Sequence, residues 1–310
     1  MTRFEIEKGQ YGKRMVLKGN WSKDLVNYCR DYDIKELYLN IAFGWPGYDV
    51  SFLKDLKGLK WLHILTDRVN DISPIHSLRN IRWLCLSLIV ETKIDFTCFP
   101  KLERVSLDWS PKIKSIFECK SLKNILMCKY KSDERDLSAF SSLPNLEELC
   151  FKICNIERIG DISKLKNLKA LELHWASKLT SLKGLEVLRE LRKLHIDTCR
   201  RVTKIDPIGK LAKLEEFFLP NCGDIESLKP LAGLKNLRVF HFYESTNIIN
   251  GDLTVLKSLP GLSEVSFVER RHYNLKDSDM PGYEPPDFEA MRKTLLEGGF
   301  TPVEVDYILK

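Results

Sequence analysis

A chain of 310 residues with 44% apolar and 30% charged side chains has the make-up of an ordinary globular protein, and no run of about 18 apolar residues offers a membrane span. Its 49 Lys and Arg against 43 Asp and Glu give a net charge of +6, too dilute an excess over this length for a nucleic-acid-binding signature. Nine cysteines follow neither a disulfide framework nor a zinc spacing; with no apolar leader in MTRFEIEKGQ, this leads us to expect a cytoplasmic protein.

From the N-terminus, Met15-Val16-Leu17 is the first strand signal, and it precedes Leu37-Tyr38-Leu39 by about 22 residues. Ser22 is placed to cap a helix running to about Asp31, with Leu25, Tyr28 and Cys29 at helical spacing. From Ile34 onward the pattern apolar-x-x-apolar-x-apolar recurs, starting at Ile34, Leu59, Ile81, Leu102, Leu122, Leu146, Leu168, Leu191, Leu214, Leu237 and Leu262. Successive starts lie about 23 residues apart on average. The last two apolar residues of each pattern alternate with other residues, which is strand spacing. Between strands the apolar residues come every third position, as in Leu179, Leu182, Leu185, Leu188 and Leu191, in Val202, Ile205, Ile208, Leu211 and Leu214, and in Ile225, Leu228, Leu231, Leu234 and Leu237. A period of three suits 3₁₀ turns or a wide stacked coil better than an α-helix. Each unit is therefore a short strand plus a return segment, too small to bury its own apolar face, and stacking the units buries it.

The units around residues 110–135 keep the pattern least well, so a bulge or bend is expected there. Further on, Glu284-Pro285-Pro286-Asp287 leads into a predicted helix through about Glu297, which Gly298-Gly299 ends. The tail TPVEVDYILK carries both helix-start and strand signals. The expected division is an N-terminal cap over 1–33, a repeat array over 34–269 and a C-terminal cap over 270–310.

The segments LKALELHWA, LRKLHIDTC and LEEFFLPNC resemble the leucine-rich repeat, whose unit reads Leu-x-x-Leu-x-Leu-x-x-Asn/Cys. The resemblance covers about residues 15–269. Cys154, Cys199 and Cys222 fall at the ninth, inward-facing position, whereas Asp67, Ile89, Ser110, Tyr130 and Ala176 depart from it. The short interval is most similar to bacterial internalins and phosphatase-regulatory subunits, and the chain also resembles free-standing bacterial leucine-rich-repeat proteins. The resemblance implies an α/β, right-handed horseshoe solenoid of about 11–12 repeats with a parallel sheet on its concave face. It further implies protein–protein recognition, with no cofactor.

On such a sheet the third, fifth and seventh residues of each pattern face outward. Reading that lane gives large rings at Tyr38, Trp61, His63 and Trp83 in the first units and at Phe218, His241 and Tyr243 in the last. Exposed Trp and Tyr are frequent binding hot spots, although rings can also simply pack along the lane. The lane's acids are Glu36, Asp108, Glu148, Glu172, Asp197, Glu216 and Glu264, against Arg104, Lys152 and Lys193. Its net −4 contrasts with the +6 of the whole chain and favours a basic protein over nucleic acid. Eleven strands about 4.8 Å apart and five exposed residues wide make a face of roughly 850 Å². That is about one partner's share of an ordinary interface.

No phosphate loop, dinucleotide glycine motif, zinc-protease motif or nucleophile elbow is present. Glu172 and His174 should lie one strand away from His195 and Asp197, where two imidazoles and two carboxylates could ligate a metal or share protons. They could equally be polar lane residues pairing across strands. Cys150 lies beside the group, but Cys85 and Cys128 hold similar outward positions without it. The expectation is a monomeric, non-enzymatic module that binds a protein on its concave face and contacts neither nucleic acid nor membrane. Within that class, an immunity protein neutralising a basic toxin and a regulatory subunit of an enzyme are the two roles the resemblance suggests. A metal or enzymatic site at the Glu172, His174, His195 and Asp197 group is the alternative from a different class.

Overall fold

The computed structural model describes residues 3–88, 91–282 and 292. Apart from Arg292, the helix expected between Asp287 and Glu297 lies outside these residues, as do the last ten residues and Ile89.

Each repeat pattern folds into a short strand because its fourth and sixth residues alternate inward. Leu191, Leu194 and Ile196 are fully buried in one unit, as are Leu214, Phe217 and Leu219 in another. The strands are β1 (Phe4–Lys8), β2 (Lys13–Leu17), β3 (Ile34–Asn40), β4 (Trp61–Leu65), β5 (Trp83–Ser87), β6 (Arg104–Asp108), β7 (Asn124–Tyr130) and β8 (Glu148–Cys154). There follow β9 (Ala170–His174), β10 (Lys193–Asp197), β11 (Glu216–Phe218), β12 (Asp224–Ile225), β13 (Val239–Phe242), β14 (Asn247–Ile248) and β15 (Glu264–Phe267). Among the described residues thirteen of them form one sheet in chain order, parallel from β2 onward, while β12 and β14 pair separately. The strand at Met15 is thus present as β2, in parallel register with β3. Strand β1, which the repeat pattern does not announce, pairs antiparallel with β2 and covers the sheet's first edge.

The return segments are short 3₁₀ turns, such as Ser73–Ser77, Asp206–Lys210 and Lys229–Gly233. All fifteen residues of the three period-three runs are buried, so each rung stacks its apolar side on the next. Asp49, Asp71, Asp95, Asp136, Asp161 and Asp252 recur at the entries to these segments. Each accepts the backbone N–H two residues on at 2.8–3.0 Å, fixing the turn.

A second device repeats at the strand exits. Lys129, Ile153, Trp175, Thr198, Asn221 and Glu244, each the eighth residue of its unit, adopt left-handed φ between 54° and 62°. The corner turns the ninth residue inward, where Cys154, Ala176, Cys199 and Cys222 are buried. Cys222 donates through Sγ to the Ile196 carbonyl at 3.1 Å, tying consecutive units together. Burial pushes the Cys154 thiol up to about 11 and the Cys222 thiol up to about 12, so these are structural, unreactive groups.

The irregular middle is filled rather than left open. Tyr130 takes the ninth position and is buried with Phe140 and Phe151, in a cluster that half-buried Trp109 and Phe117 complete, with ring centroids 5.1–5.8 Å apart. Strands β7 and β8 lengthen to seven residues, and the turn that leads into β7, at Pro111–Glu118, lengthens to eight.

Helix α1 (Asp24–Asp31) buries Leu25 and Cys29, as its spacing predicted. Ser22 does not cap it through its side chain. The hydroxyl instead accepts from Arg3 on the N-terminal hairpin, and only the Ser22 carbonyl meets the Leu25 N–H. No helix of the described residues is long and apolar enough to cross a membrane.

Candidate functional site

Strand register aligns the third positions of the units in one row, from Arg14 and Glu36 through Trp61, Trp83, Arg104, Asn124, Glu148, Ala170, Lys193, Glu216 and Val239 to Glu264. The fifth positions form a second row beside it. A single groove of about 620 Å³ runs across both rows from Arg14 on β2 to Glu172 on β9. Its walls include Trp61, His63, Trp83, Arg104, Leu126, Glu148 and Cys150. The groove spans eight strands and bears apolar and carboxylate surface together.

At its N-terminal end the rings of Tyr38, Trp61, His63 and Trp83 pack on one another at 4.7–6.1 Å. Trp61 is not an exposed lane ring as the pattern suggests. It is 6% exposed, covered by its neighbours and by the Arg14 guanidinium 4.3 Å above it. Glu36 departs further from expectation, for it is fully buried. It binds Arg14 through Oε2, at 2.7 Å from Nη2 and 2.9 Å from Nε, and it accepts the Tyr11 N–H through Oε1. The β1–β2 turn lies so close that a side chain at Gly9 would collide with this carboxylate. His63 is held below the usual histidine range by burial and by Arg14, so its ring is neutral at neutral pH. Among the described residues neither its Nε2 nor the Trp61 Nε1 has a hydrogen-bond partner.

At the other end His195, Phe218, His241 and Tyr243 form a half-buried row with centroids 5.2–6.3 Å apart. Lys193 lies 5.9 Å from the Phe218 ring, and His241 Nε2 is 2.8 Å from the Glu264 carboxylate. Pro220, at a seventh position, turns inward and is buried.

Between the two ring groups the expected juxtaposition is present. His174 sits with Nδ1 3.1 Å from Asp197 Oδ2 and Nε2 3.3 Å from Glu172 Oε2. The second oxygen of Glu172 meets Lys193 Nζ at 2.7 Å. Cys150 and the two carboxylates raise His174 to about 10, whereas the His174 bond and Lys193 lower Glu172 to about 2. Burial and the neighbouring His174 charge lower His195 to about 4. One imidazole is therefore a held cation and the other neutral.

These pairings shrink the lane's acidity. With Glu36 withdrawn onto Arg14 and His174 counted as a cation, six carboxylates face four positive groups. Exposed Glu148 and half-buried Glu216 remain on the face. Sequence reasoning left out Arg14, which holds the third position of the degenerate first unit and was legible once that unit was recognised. It also missed exposed Trp175 and Ile153, which stand at the corner positions rather than on the strands.

No family model matches the chain and no curated protein matches it. Solved structures do. An internalin (InlF) of Listeria monocytogenes is 20% identical with a TM-score of 0.58, over 77% of this chain and 68% of its own. TLR13, solved as a TLR13–ssRNA13 complex, is 20% identical with a TM-score of 0.59, over 78% of this chain and 38% of its own. A leucine-rich-repeat protein of Leptospira interrogans is 14% identical with a TM-score of 0.50, over 82% of this chain and 78% of its own. A period near 23, parallel strands stacked in chain order and likeness to these structures agree: the protein is a horseshoe solenoid of the leucine-rich-repeat fold.

Proposed function

We propose that the protein is a non-enzymatic recognition module that holds a protein partner against the groove of its sheet. The observation that carries this reading is the groove itself, whose lining combines Trp83 and Leu126 with the carboxylates of Glu148 and Glu172. Such a surface suits an apolar segment of a partner flanked by a Lys or Arg, with the rings supplying contact area and the acids orientation. The ring row at Phe218 and Tyr243 extends the same face toward the C-terminal units.

The test is capture of partners from the source cells by the intact chain and by a variant with Trp83, Phe218 and Tyr243 replaced by alanine. Trp61 is left alone because its burial would mix folding with binding. The variant should keep its circular dichroism and lose its partner; an unchanged partner with unchanged affinity would sink the reading. RNA is the competing ligand, given the TLR13–ssRNA13 complex, and an affinity for RNA that falls steeply with salt would favour it. Neutralising a basic toxin and regulating an enzyme are two roles such a binder can fill. Protection of cells that express a neighbouring, otherwise lethal gene product separates the first from the second.

A further inference from the structure

We propose that Cys150, Glu172 and His174 form a zinc-binding site at the end of the groove, with Asp197 and Lys193 holding the ligands in place. The inference does not need the recognition reading and rests on how the donor atoms of this group converge, already meeting one another in hydrogen bonds.

Each of the two nitrogen and oxygen donors has its other end already engaged. His174 Nδ1 is tied to Asp197 at 3.1 Å, and Glu172 Oε1 to Lys193 at 2.7 Å. That leaves His174 Nε2 and Glu172 Oε2 facing one another at 3.3 Å, with Cys150 Sγ 3.7 Å from the same oxygen. Tetrahedral zinc with its usual bond lengths requires about 3.4 Å between a nitrogen and an oxygen ligand and about 3.6 Å between a sulfur and an oxygen ligand. Both observed separations match, and all three donor atoms lie within 4.8 Å of one another. A ligating histidine whose second nitrogen is bound to a carboxylate is the usual outer arrangement of such sites, and it also fixes the tautomer. The set of one sulfur, one nitrogen and one oxygen suits zinc rather than magnesium or calcium.

A second trio, His174, His195 and Asp197, also lies within 4.8 Å. That set would spend Asp197 as a ligand and offers no sulfur, whereas the Cys150 set brings a thiolate to zinc and keeps Asp197 on the second nitrogen of His174, so the Cys150 set is the better site. On binding, zinc forms bonds to Sγ, Oε2 and Nε2, and the protons of the Cys150 thiol and the His174 Nε2 pass to solvent. Cys150 and Glu172 line the groove, so the fourth position opens toward it and takes a water.

The experiment uses the full chain, stripped by a chelator and titrated with zinc by calorimetry and with cobalt(II) by absorbance. One equivalent of zinc should bind, and cobalt should give a thiolate charge-transfer band together with the visible bands of a tetrahedral ion. Cys150→Ser, isosteric at a position where another unit carries Ser106, should abolish the charge-transfer band and weaken zinc at least tenfold. Asp197→Asn should weaken zinc by roughly 10–100-fold while leaving that band in place. Cys128→Ser, one strand away, should change neither. Absence of stoichiometric zinc binding overturns the proposal. So does binding unaltered by Cys150→Ser, or binding lost on His195→Gln but kept in Cys150→Ser.

Discussion

Replacing Glu36 by glutamine keeps the size of the side chain and removes its charge, in a position where the carboxylate is fully buried. The Arg14 guanidinium then loses two charge-assisted bonds, at 2.7 and 2.9 Å, and keeps its place over Trp61 through packing and a 3.9 Å contact with half-exposed Glu7. Breaking a fully buried ion pair from one side costs about 3–5 kcal/mol. The Arg14 side chain is 24% exposed, so water recovers part of its solvation, and glutamine still offers an oxygen to the Tyr11 N–H. A loss of about 2–3 kcal/mol follows. Because the hairpin caps the first edge of a solenoid, the loss should open that end first and expose Trp61. Guanidinium unfolding followed by tryptophan fluorescence reads both effects: a lower midpoint and an early red shift. Glu148→Gln, an exposed carboxylate in the same row, is the control and should stay within about 0.5 kcal/mol of the parent. If Glu36→Gln unfolds like Glu148→Gln, the buried pair does not hold the hairpin down and the account of this end is wrong.

Ile153 occupies a left-handed corner, φ 62°, with its side chain 55% exposed. Such a conformation costs an ordinary L-residue about 1–2 kcal/mol, and a β-branched one suffers most. Ile153→Asn, the residue already present at the equivalent corner Asn221, should raise the denaturant midpoint by an amount worth about 1 kcal/mol. An unchanged or lower midpoint would show that the corner is not strained. His63 gives a pH prediction: its folded-state value is depressed by burial and by Arg14, so the unfolded chain takes up its proton first. Stability should therefore fall as pH drops below about 6.5, and His63→Gln should flatten that part of the profile. Parallel melting-temperature profiles for the two proteins between neutral pH and mild acid would refute a neutral ring.

The repeat was legible because one physical requirement, an apolar fourth and sixth residue to face the core, is stamped on every unit. Even the register followed from it: Glu172 opposite His195 and His174 opposite Asp197 needed only counting. What counting could not reveal was the effect of the N-terminal hairpin. Glu36 and Trp61 carry outward positions, yet a strand outside the repeat pattern folds Arg14 and Gly9 against them. Burial there is set by a non-repeating neighbour, to which a periodic pattern is blind. Charge suffered similarly. The lane's sum of formal charges overstated its field, because Cys150 and the two carboxylates around His174 hold a proton on its ring. The middle units looked defective in sequence for the opposite reason: Tyr130 replaces a small residue, and Phe140 and Phe151 fill around it.

The parallel sheet has a kinetic consequence that its strand count conceals. Neighbouring strands pair residues only 20–25 positions apart, as in Glu36 with Trp61 and Arg104 with Asn124. For 310 residues this is a relative contact order of about 0.07, in the range of helical bundles rather than of sandwiches or barrels. Every pairing closes a short loop, so no distant ends must find each other before order is gained. The chain can start folding at any interior pair of units and grow in both directions, leaving the N-terminal hairpin to close last.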